Sequence, residues 1–302
     1  MIKTFAELKE KAQELPPISI AFAAAEDEAV LNGAKVAIEA GILEKPVFTG
    51  AEHKIESILA ENEIELSEYE IWSADSDLEA AQQAVKAVRT GRANTIAKGN
   101  LKTLYYLKAI LDKEKGLSGG AKVLSNLTLF AMESYHKFIA VTDNAITPQP
   151  DLQQKKAIIE NTRAMWDSLH VSPPKVAVLA AVETVSDKMQ ATVEASCLDK
   201  MADRSQIEGF LVEGPLSYDV AMDSSSAERK GMGNFSVPGD PDLLLMPNLE
   251  AGNMVGKSFK LHGNANSGGV VLGGDVPVIL NSRADGSQKR LNSLLLARVI
   301  LA

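Results

Sequence analysis

The sequence predicts an α/β protein in which helices cover mainly parallel β-sheet, and three observations carry that prediction. Short apolar runs alternate with longer segments of helical period along nearly all of the 302 residues. Apolar residues make up 45% of the chain and aromatics only 5%, so the core has to be built from Ala, Leu, Val and Ile. Such a core suits helices laid on strands better than an all-β sandwich. The length allows one large domain or two ordinary ones.

Taken in order, "ISIAFAA" (18–24) reads as a strand and Glu26 to Ala40 as a helix ending at Gly41. "KPVFTG" and "EYEIWSA" are strands separated by the helical "AEHKIESILAEN", and a helix runs from about Leu78 to Thr90. "NTIAKGN" is a strand and turn leading into the helical "LKTLYYLKAILDK". Next come the strands "AKVLSNLTLFAM" and "KFIAVTD", a helix from Leu152 to Leu169, and the strand "PKVAVLAAV". "EGFLVEG", "DLLLMPN" and "VVLGGDVPVIL" complete the set, each beside a helix. Right-handed crossovers place the strand C-terminal ends along one edge, where open α/β sheets bind ligands. Five polar stretches, "AKGN", "TDN", "VEGPLSYD", "PNLEAGN" and "NSRAD", follow strands directly and so converge there. "GLSGGAK" (116–122) is the best internal boundary signal, with a second change of character near "LGGD" (272–275).

The charge balance excludes some classes of function. The net charge is −9, from 40 acidic and 31 basic side chains, and no basic stripe is present, which argues against nucleic acid as a partner. Cys197 is the single cysteine, so neither an intrachain disulfide nor a cysteine zinc site can form; it reads as a small buried hydrophobe. His53, His136, His170 and His262 lack the i, i+4 spacing of a helical metal site, and no metal is expected. "MIKTFAELKEKAQELPP" reads as a charged amphipathic helix, unlike a secretory signal, and no run approaches the about 18 apolar residues of a membrane span. The expectation is a cytoplasmic protein with no membrane partner.

Several strand-to-helix joints carry candidate chemistry. In "KGNLKT", Gly99 permits close backbone approach, and the free N–H groups of the following helix would form an anion site. Lys98, Lys102 and Lys108 add positive charge; an ordinary βα turn with a solvated lysine face accounts for the stretch equally well. In "VEGPLSYDVAM", Pro215 fits the first turn of a helix, and Asp219 either orients something in the crevice or complements the helix dipole. Glu250, Asn253 and Lys257 share one helix face, as a structural pair bridged by an amide or as ligand contacts. In "NSRAD", Ser282 and Asp285 could form a capping box, but a cation such as Arg283 at a helix N-terminus is unfavourable unless an anion sits there. An oxyanion site at 282–285 resolves the conflict. No Walker loop or G-x-G-x-x-G fingerprint occurs, which argues against a standard ATP or NAD site.

From about Ala97 to Leu301 the chain resembles the phosphate acetyl/butyryl transferase family, most of all its butyryl branch. The blocks that carry the resemblance include "KGNLKTLYYLKAIL", "TDNAITPQPDLQQKKAIIENT", "PKVAVLAAVETVSDKM", "KMADRSQIEGFLVEGPLSYDVAM", "GDPDLLLMPNLEAGNM" and "VPVILNSRADGSQKRLNS". The resemblance implies a two-domain, three-layer α/β/α fold like that of the isocitrate and isopropylmalate dehydrogenases, with an interdomain cleft. Residues 1–121 with 276–302 would form one discontinuous domain and 122–275 the other. It also implies a homodimer or higher homo-oligomer. The implied reaction is butanoyl-CoA plus phosphate giving butanoyl phosphate plus CoA, without an acyl-enzyme. Coenzyme A is then a substrate thioester, and no cofactor is bound. The alternatives are an acetyl or branched-chain acyl preference, or a non-catalytic anion or CoA binder on the same fold.

By that resemblance Ser282 and Arg283 match the family's phosphate motif, and Lys108 falls where the acetyl branch has a phosphate-binding arginine. Asp143, Asp219, Asn253 and Lys257 match positions lining the cleft. Ser282, Arg283, Asp285, Asp219 and Asn253 are the candidate catalytic residues; Lys98, Gly99, Thr103, Lys108, Asp143 and Lys257 are the candidate phosphate or CoA contacts. The chain departs from the pattern at Lys289, where the acetyl branch has an acidic residue proposed as the base, and at Ser125-Asn126-Leu127, where the butyryl branch commonly reads Ser-His-Val.

Overall fold

A computed structural model describes residues 1–120, 122–281 and 285–302. The chain begins with α1 (Phe5–Gln13), β1 (Ile20–Ala23), α2 (Glu28–Glu39), β2 (Val47–Gly50) and α3 (Glu52–Glu61). Next are β3 (Glu70–Ser73), α4 (Asp77–Arg89), β4 (Thr95–Lys98) and α5 (Thr103–Ile110). The middle holds β5 (Ser125–Ala131), β6 (Ile139–Thr142), α6 (Leu152–Asn161), α7 (Arg163–Ser168), β7 (Lys175–Leu179), α8 (Gln190–Asp203) and β8 (Leu211–Leu216). After these come α9 (Tyr218–Met222), α10 (Ser224–Arg229), β9 (Leu243–Leu245), α11 (Leu249–Leu261), β10 (Asn266–Leu272), β11 (Val278–Ile279) and α12 (Ser287–Ile300). Two compact units result: a flanking unit of Phe5–Ala121 with Gly268–Ala302, and a central unit of Met1–Thr4 with Lys122–Ser267.

In the flanking unit the strands lie in the order β3-β2-β1-β4-β11-β10. All neighbours are parallel except the β10–β11 pair. β1, β2, β4 and β11 are short and apolar because both faces are buried: Ile20, Ala21, Phe48, Ile96 and Ile279 are fully enclosed, whereas β3 at the edge is only partly buried. Helix ends follow local chemistry. Asp27 caps α2 by accepting from the Val30 amide at 3.1 Å, and Gly41 takes φ +72° just past its end. α12 packs against α1, α2 and β11 and is buried from Arg290 to Val299, polar residues included.

The central unit orders its strands β5-β6-β9-β7-β8, with β5–β6 antiparallel and the rest parallel. Its core joins Phe130, Val141, Leu216, Leu244 and Phe259, the two phenyl rings meeting edge to face at 5.2 Å. Two sequence expectations change here. The single helix expected over 152–169 is two, because the chain turns at Thr162, whose hydroxyl donates to the Ile159 carbonyl at 2.7 Å. Pro215 lies within β8 and not in a helical first turn; β8 is the last strand of the order, where a residue without an N–H is tolerated.

Candidate functional site

In the flanking unit the strand order reverses at β1, with β2 and β3 on one side and β4 on the other. The crevice between the C-terminal ends of β1 and β4 is therefore the switch point at which such sheets bind ligands. The loops there are joined by Gly99 N donating to Ala23 O (2.8 Å) and Asn100 N to Ala24 O (2.7 Å). A Cβ on Gly99 would lie 2.1 Å from the Ala24 carbonyl oxygen, so only glycine permits this approach. Lys98, the last residue of β4, is buried with its Nζ 3.2 Å from the Gly99 carbonyl.

The helices around this edge differ at their N-termini. α2 and α4 are capped by Asp27 and Ser76, and Glu26 accepts from the Ala51 amide at the head of α3 at 2.7 Å. α5 starts at Thr103 with Lys102 in the cap position and no side-chain cap. Its N-terminal amides, beside Gly99 and Lys98, suit an anion. Lys108 is not brought to this turn: it is exposed in the last turn of α5, where its charge complements the carbonyl end of the helix.

β11 runs parallel beside β4 with Ile279 level with Ala97, so the chain leaves it at the same edge as Lys98. Ser282 and Arg283 lie outside the described residues. Asn281 is buried and its Oδ1 accepts from Ser293 Oγ of α12 at 3.1 Å. Asp285 does not complete a capping box, because α12 begins at Ser287 with Gly286 as its cap. Its carboxylate instead takes Lys289 Nζ at 2.6 Å, and its carbonyl takes Arg290 Nε at 3.3 Å. Lys289, the departure from the acetyl-branch pattern, is thus the partner of the nearest carboxylate.

In the central unit, Asp143 and Asp219 both follow the C-terminal ends of strands. Asp143 is 3% exposed and accepts backbone N–H groups from Ala145 (2.9 Å), Ile146 (3.1 Å), Thr147 (2.8 Å) and Asn126 (3.3 Å). Burial pushes its carboxyl up, against the four amides that pull it down. Asn126 Nδ2 donates to Asn144 Oδ1 at 2.5 Å, and Asn253 Nδ2 on α11 donates to the Asn144 carbonyl at 3.2 Å. Asn253 thus holds the 143–147 loop; among the described residues no ion pair joins Glu250 and Lys257 for it to bridge, and Lys257 is exposed. A Cβ on Gly252 would lie 2.4 Å from the Asp143 carbonyl, which explains the small residue at that contact.

Asp219 stands in the first turn of α9 with its side chain 52% exposed. Ser217 Oγ lies 2.5 Å from its Oδ1, and Lys230 Nζ is 3.0 Å from its Oδ2. The same ammonium reaches Glu183 Oε1 at 3.0 Å and Ser217 Oγ at 3.2 Å, and Ser217 also bonds Glu183. The Ser217 hydroxyl and the Lys230 ammonium hold the Asp219 carboxyl down at about 2. Glu183 also ends below the usual range: desolvation would raise it, but the bonds from Ser217 and Lys230 outweigh that. The two carboxylates together, Asp219 first, raise Lys230. Glu183, Ser217 and Lys230 were not singled out from the sequence. They stand 36, 2 and 11 positions from Asp219, and no spacing rule joins them. Among the described residues no cluster of His, Cys, Asp and Glu is placed to hold a metal ion, and no helix is long and apolar enough to cross a membrane.

Comparison with known proteins joins these two edges to one family. Residues 76–298 match the family model described as phosphate acetyl/butaryl transferase. The phosphate butyryltransferase of Clostridium beijerinckii is 36% identical over 302 residues, covering 100% of this chain and 99% of that protein. The phosphate acetyltransferase of Rickettsia felis is 38% identical over 302 residues, covering 99% of this chain and 85% of that protein. Among solved structures, a branched-chain phosphotransacylase from Enterococcus faecalis superposes with a TM-score of 0.82 at 27% identity, covering 94% of this chain and 99% of that one. The mixed α/β fold, the family match and the full-length relatives agree: the chain is an acyltransferase of the phosphate acetyl/butyryl transferase family.

Proposed function

We propose that this chain transfers a short acyl group between coenzyme A and phosphate, with butanoyl-CoA as the preferred thioester: butanoyl-CoA plus phosphate gives butanoyl phosphate plus CoA. The observation that carries the reading is the match to a phosphate butyryltransferase, 36% identical across 100% of this chain and 99% of that protein. The finer architecture belongs to the same proposal: the two units as the two domains of an isocitrate dehydrogenase-like protein, working as a homo-oligomer.

In this reading a phosphate oxygen attacks the thioester carbonyl, the C–S bond breaks, and the thiolate leaves and is protonated; the reverse reaction begins from the thiolate. Arg283 and Ser282, with Lys98, Gly99 and Thr103, receive phosphate. Support for Lys98, Gly99 and Thr103 is the uncapped N-terminus of α5 and the switch-point position of Gly99, while Ser282 and Arg283 rest on the family resemblance of the stretch that holds them. Lys108 is a less favoured contact, given its place at the far end of α5. Asp143 and Asn253 shape the loop at the central unit's edge, and Lys257 supplies an exposed cation. A free thiol titrates near pH ~8.5, about six units above Asp219, so Asp219 is poorly matched as the base for it. Asp285, beside Lys289, or the cations themselves remain to assist the thiol.

Thiol release from butanoyl-, acetyl- and isobutanoyl-CoA, with and without inorganic phosphate, tests the proposal. Phosphate-dependent release fastest with butanoyl-CoA is the expected result. Release fastest with acetyl-CoA would favour the second reading, which the 38% identity to a phosphate acetyltransferase supports. No phosphate dependence with any of the three would end both.

A further inference from the structure

The four-residue cluster around Asp219 has a charge and a geometry that phosphate chemistry does not explain. Lys230 has three N–H donors, and they face Glu183, Ser217 and Asp219 at 3.0 to 3.2 Å. None is left to grip an incoming anion. Two carboxylates against one ammonium leave the cluster one charge negative, so it repels inorganic phosphate and the phosphates of coenzyme A alike. Yet Asp219 is half exposed, and its carboxylate keeps unused lone pairs toward solvent. Such a fixed acceptor suits a neutral N–H donor. Next to it, the Tyr218 ring is 44% exposed and rests 6.3 Å from Phe259, an apolar plate anchored in the core. A carboxylate beside an exposed ring matches a flexible chain that alternates amides with methylenes, which is the chemistry of the pantetheine arm of an acyl-CoA.

We propose that Glu183, Ser217 and Lys230 are positioning residues that hold Asp219 as the acceptor for an amide N–H of the pantetheine arm, with Tyr218 packing on the arm's methylenes. The inference rests on the reading of the chain as an acyl-CoA-dependent transferase. It assigns the cluster to the thioester and not to phosphate, and it makes Lys230 a determinant of thioester binding without contact to either substrate.

The test is a steady-state comparison of wild type with Lys230→Met, Lys230→Arg and Glu183→Gln, varying butanoyl-CoA and phosphate separately. Losing a charge-assisted bond should raise KM for butanoyl-CoA about tenfold in Lys230→Met while leaving KM for phosphate within about twofold. Lys230→Arg should recover most of the loss. The charged groups around Asp219 are Lys230 and, across Ser217, Glu183. With Lys230 gone the Asp219 carboxyl rises toward its ordinary value, so the acid limb of kcat/KM should move to higher pH. Equal rises in both KM values, or no change in a variant that melts like wild type, would overturn the proposal. Should Lys230→Met not fold, Glu183→Gln carries the same expectation in smaller size. Repeating the series with butanoyl-pantetheine separates the arm from the nucleotide: an effect that disappears with the truncated thioester places the contact on the adenine amino group and overturns the arm assignment. Calorimetric binding of pantetheine to wild type and Lys230→Met reads the subsite even if the chain shows no turnover, so loss of the functional reading and loss of this inference are distinguishable.

Discussion

Asp143 and Asp219 follow two strands of one sheet, β6 and β8, with β9 and β7 between them, yet their surroundings are opposite. Asp143 is buried and met by four backbone amides; Asp219 is half exposed and met by a hydroxyl and an ammonium. A carboxylate whose donors are main-chain groups has its partners fixed by the fold, and it in turn fixes the loop that supplies them. One whose donors are side chains, with an edge left in water, can take a ligand without dismantling anything. The contrast teaches that a strand-end acid is assigned by who donates to it and not by its place in a motif, since both lie within the stretch that matches the family model.

The largest expected effect breaks the comparison on the Asp143 side. Asp143→Ala leaves buried amides without an acceptor and should cost about 3 kcal/mol, read as a fall in thermal or urea stability of the purified protein. Gly252→Ala presses a methyl onto the Asp143 carbonyl and should cost about 2 kcal/mol by the same measurement; a variant as stable as wild type would mean that the loop yields freely. Asp219→Asn should do the reverse, lowering kcat/KM for the thioester about tenfold with the melting temperature nearly unmoved. A variant that melts early with its kinetics intact would erase the distinction between the two acids.

The smallest effect concerns pH. The Asp219 carboxyl is depressed to about 2 in the folded chain, so its contribution to stability is present above its unfolded value near pH ~3.9 and is lost as pH falls through about 2. Solvent screening keeps this contribution small, so the slight stability gap between wild type and Asp219→Asn should close over that window. For Asp143 the sign is opposite: a folded value raised by burial favours the folded state at low pH, and that contribution is lost as pH rises through it. Chemical denaturation at stepped acid pH distinguishes the two.

Much of this was legible in the sequence, because alternating apolar runs and helical periods are local signals. β4, β6 and β9 lie inside the stretches read as strands, and the polar residues after them reach the strand-end edges of their units. Even Asp143 announces its role locally, since three of its four donors are within four residues. Asp219 does not. Its partners Glu183 and Lys230 come from other loops, and only strand pairing of β7 with β8 brings the first of these near. Pro215 misled for a related reason: its restricted backbone angle fits a helix start and an edge strand equally well, and only the sheet decides. The cap of α12 was not legible because it falls on Gly286, which has no side chain to mark a helix start.

The flanking unit is closed by chain made late. β11 sits between β4 and β10, and α12 is enclosed from Arg290 to Val299, so β1 to β4 lack an inner neighbour until residues 278–300 exist. The central unit draws all but Met1–Thr4 from an uninterrupted stretch. Synthesis runs from the amino end, so the part begun first is finished second. Nascent chains halted near residue 270 should resist protease over 122–267 and be cut within 5–121. For a ribosome-bound chain, the flanking unit would be the last thing to exist.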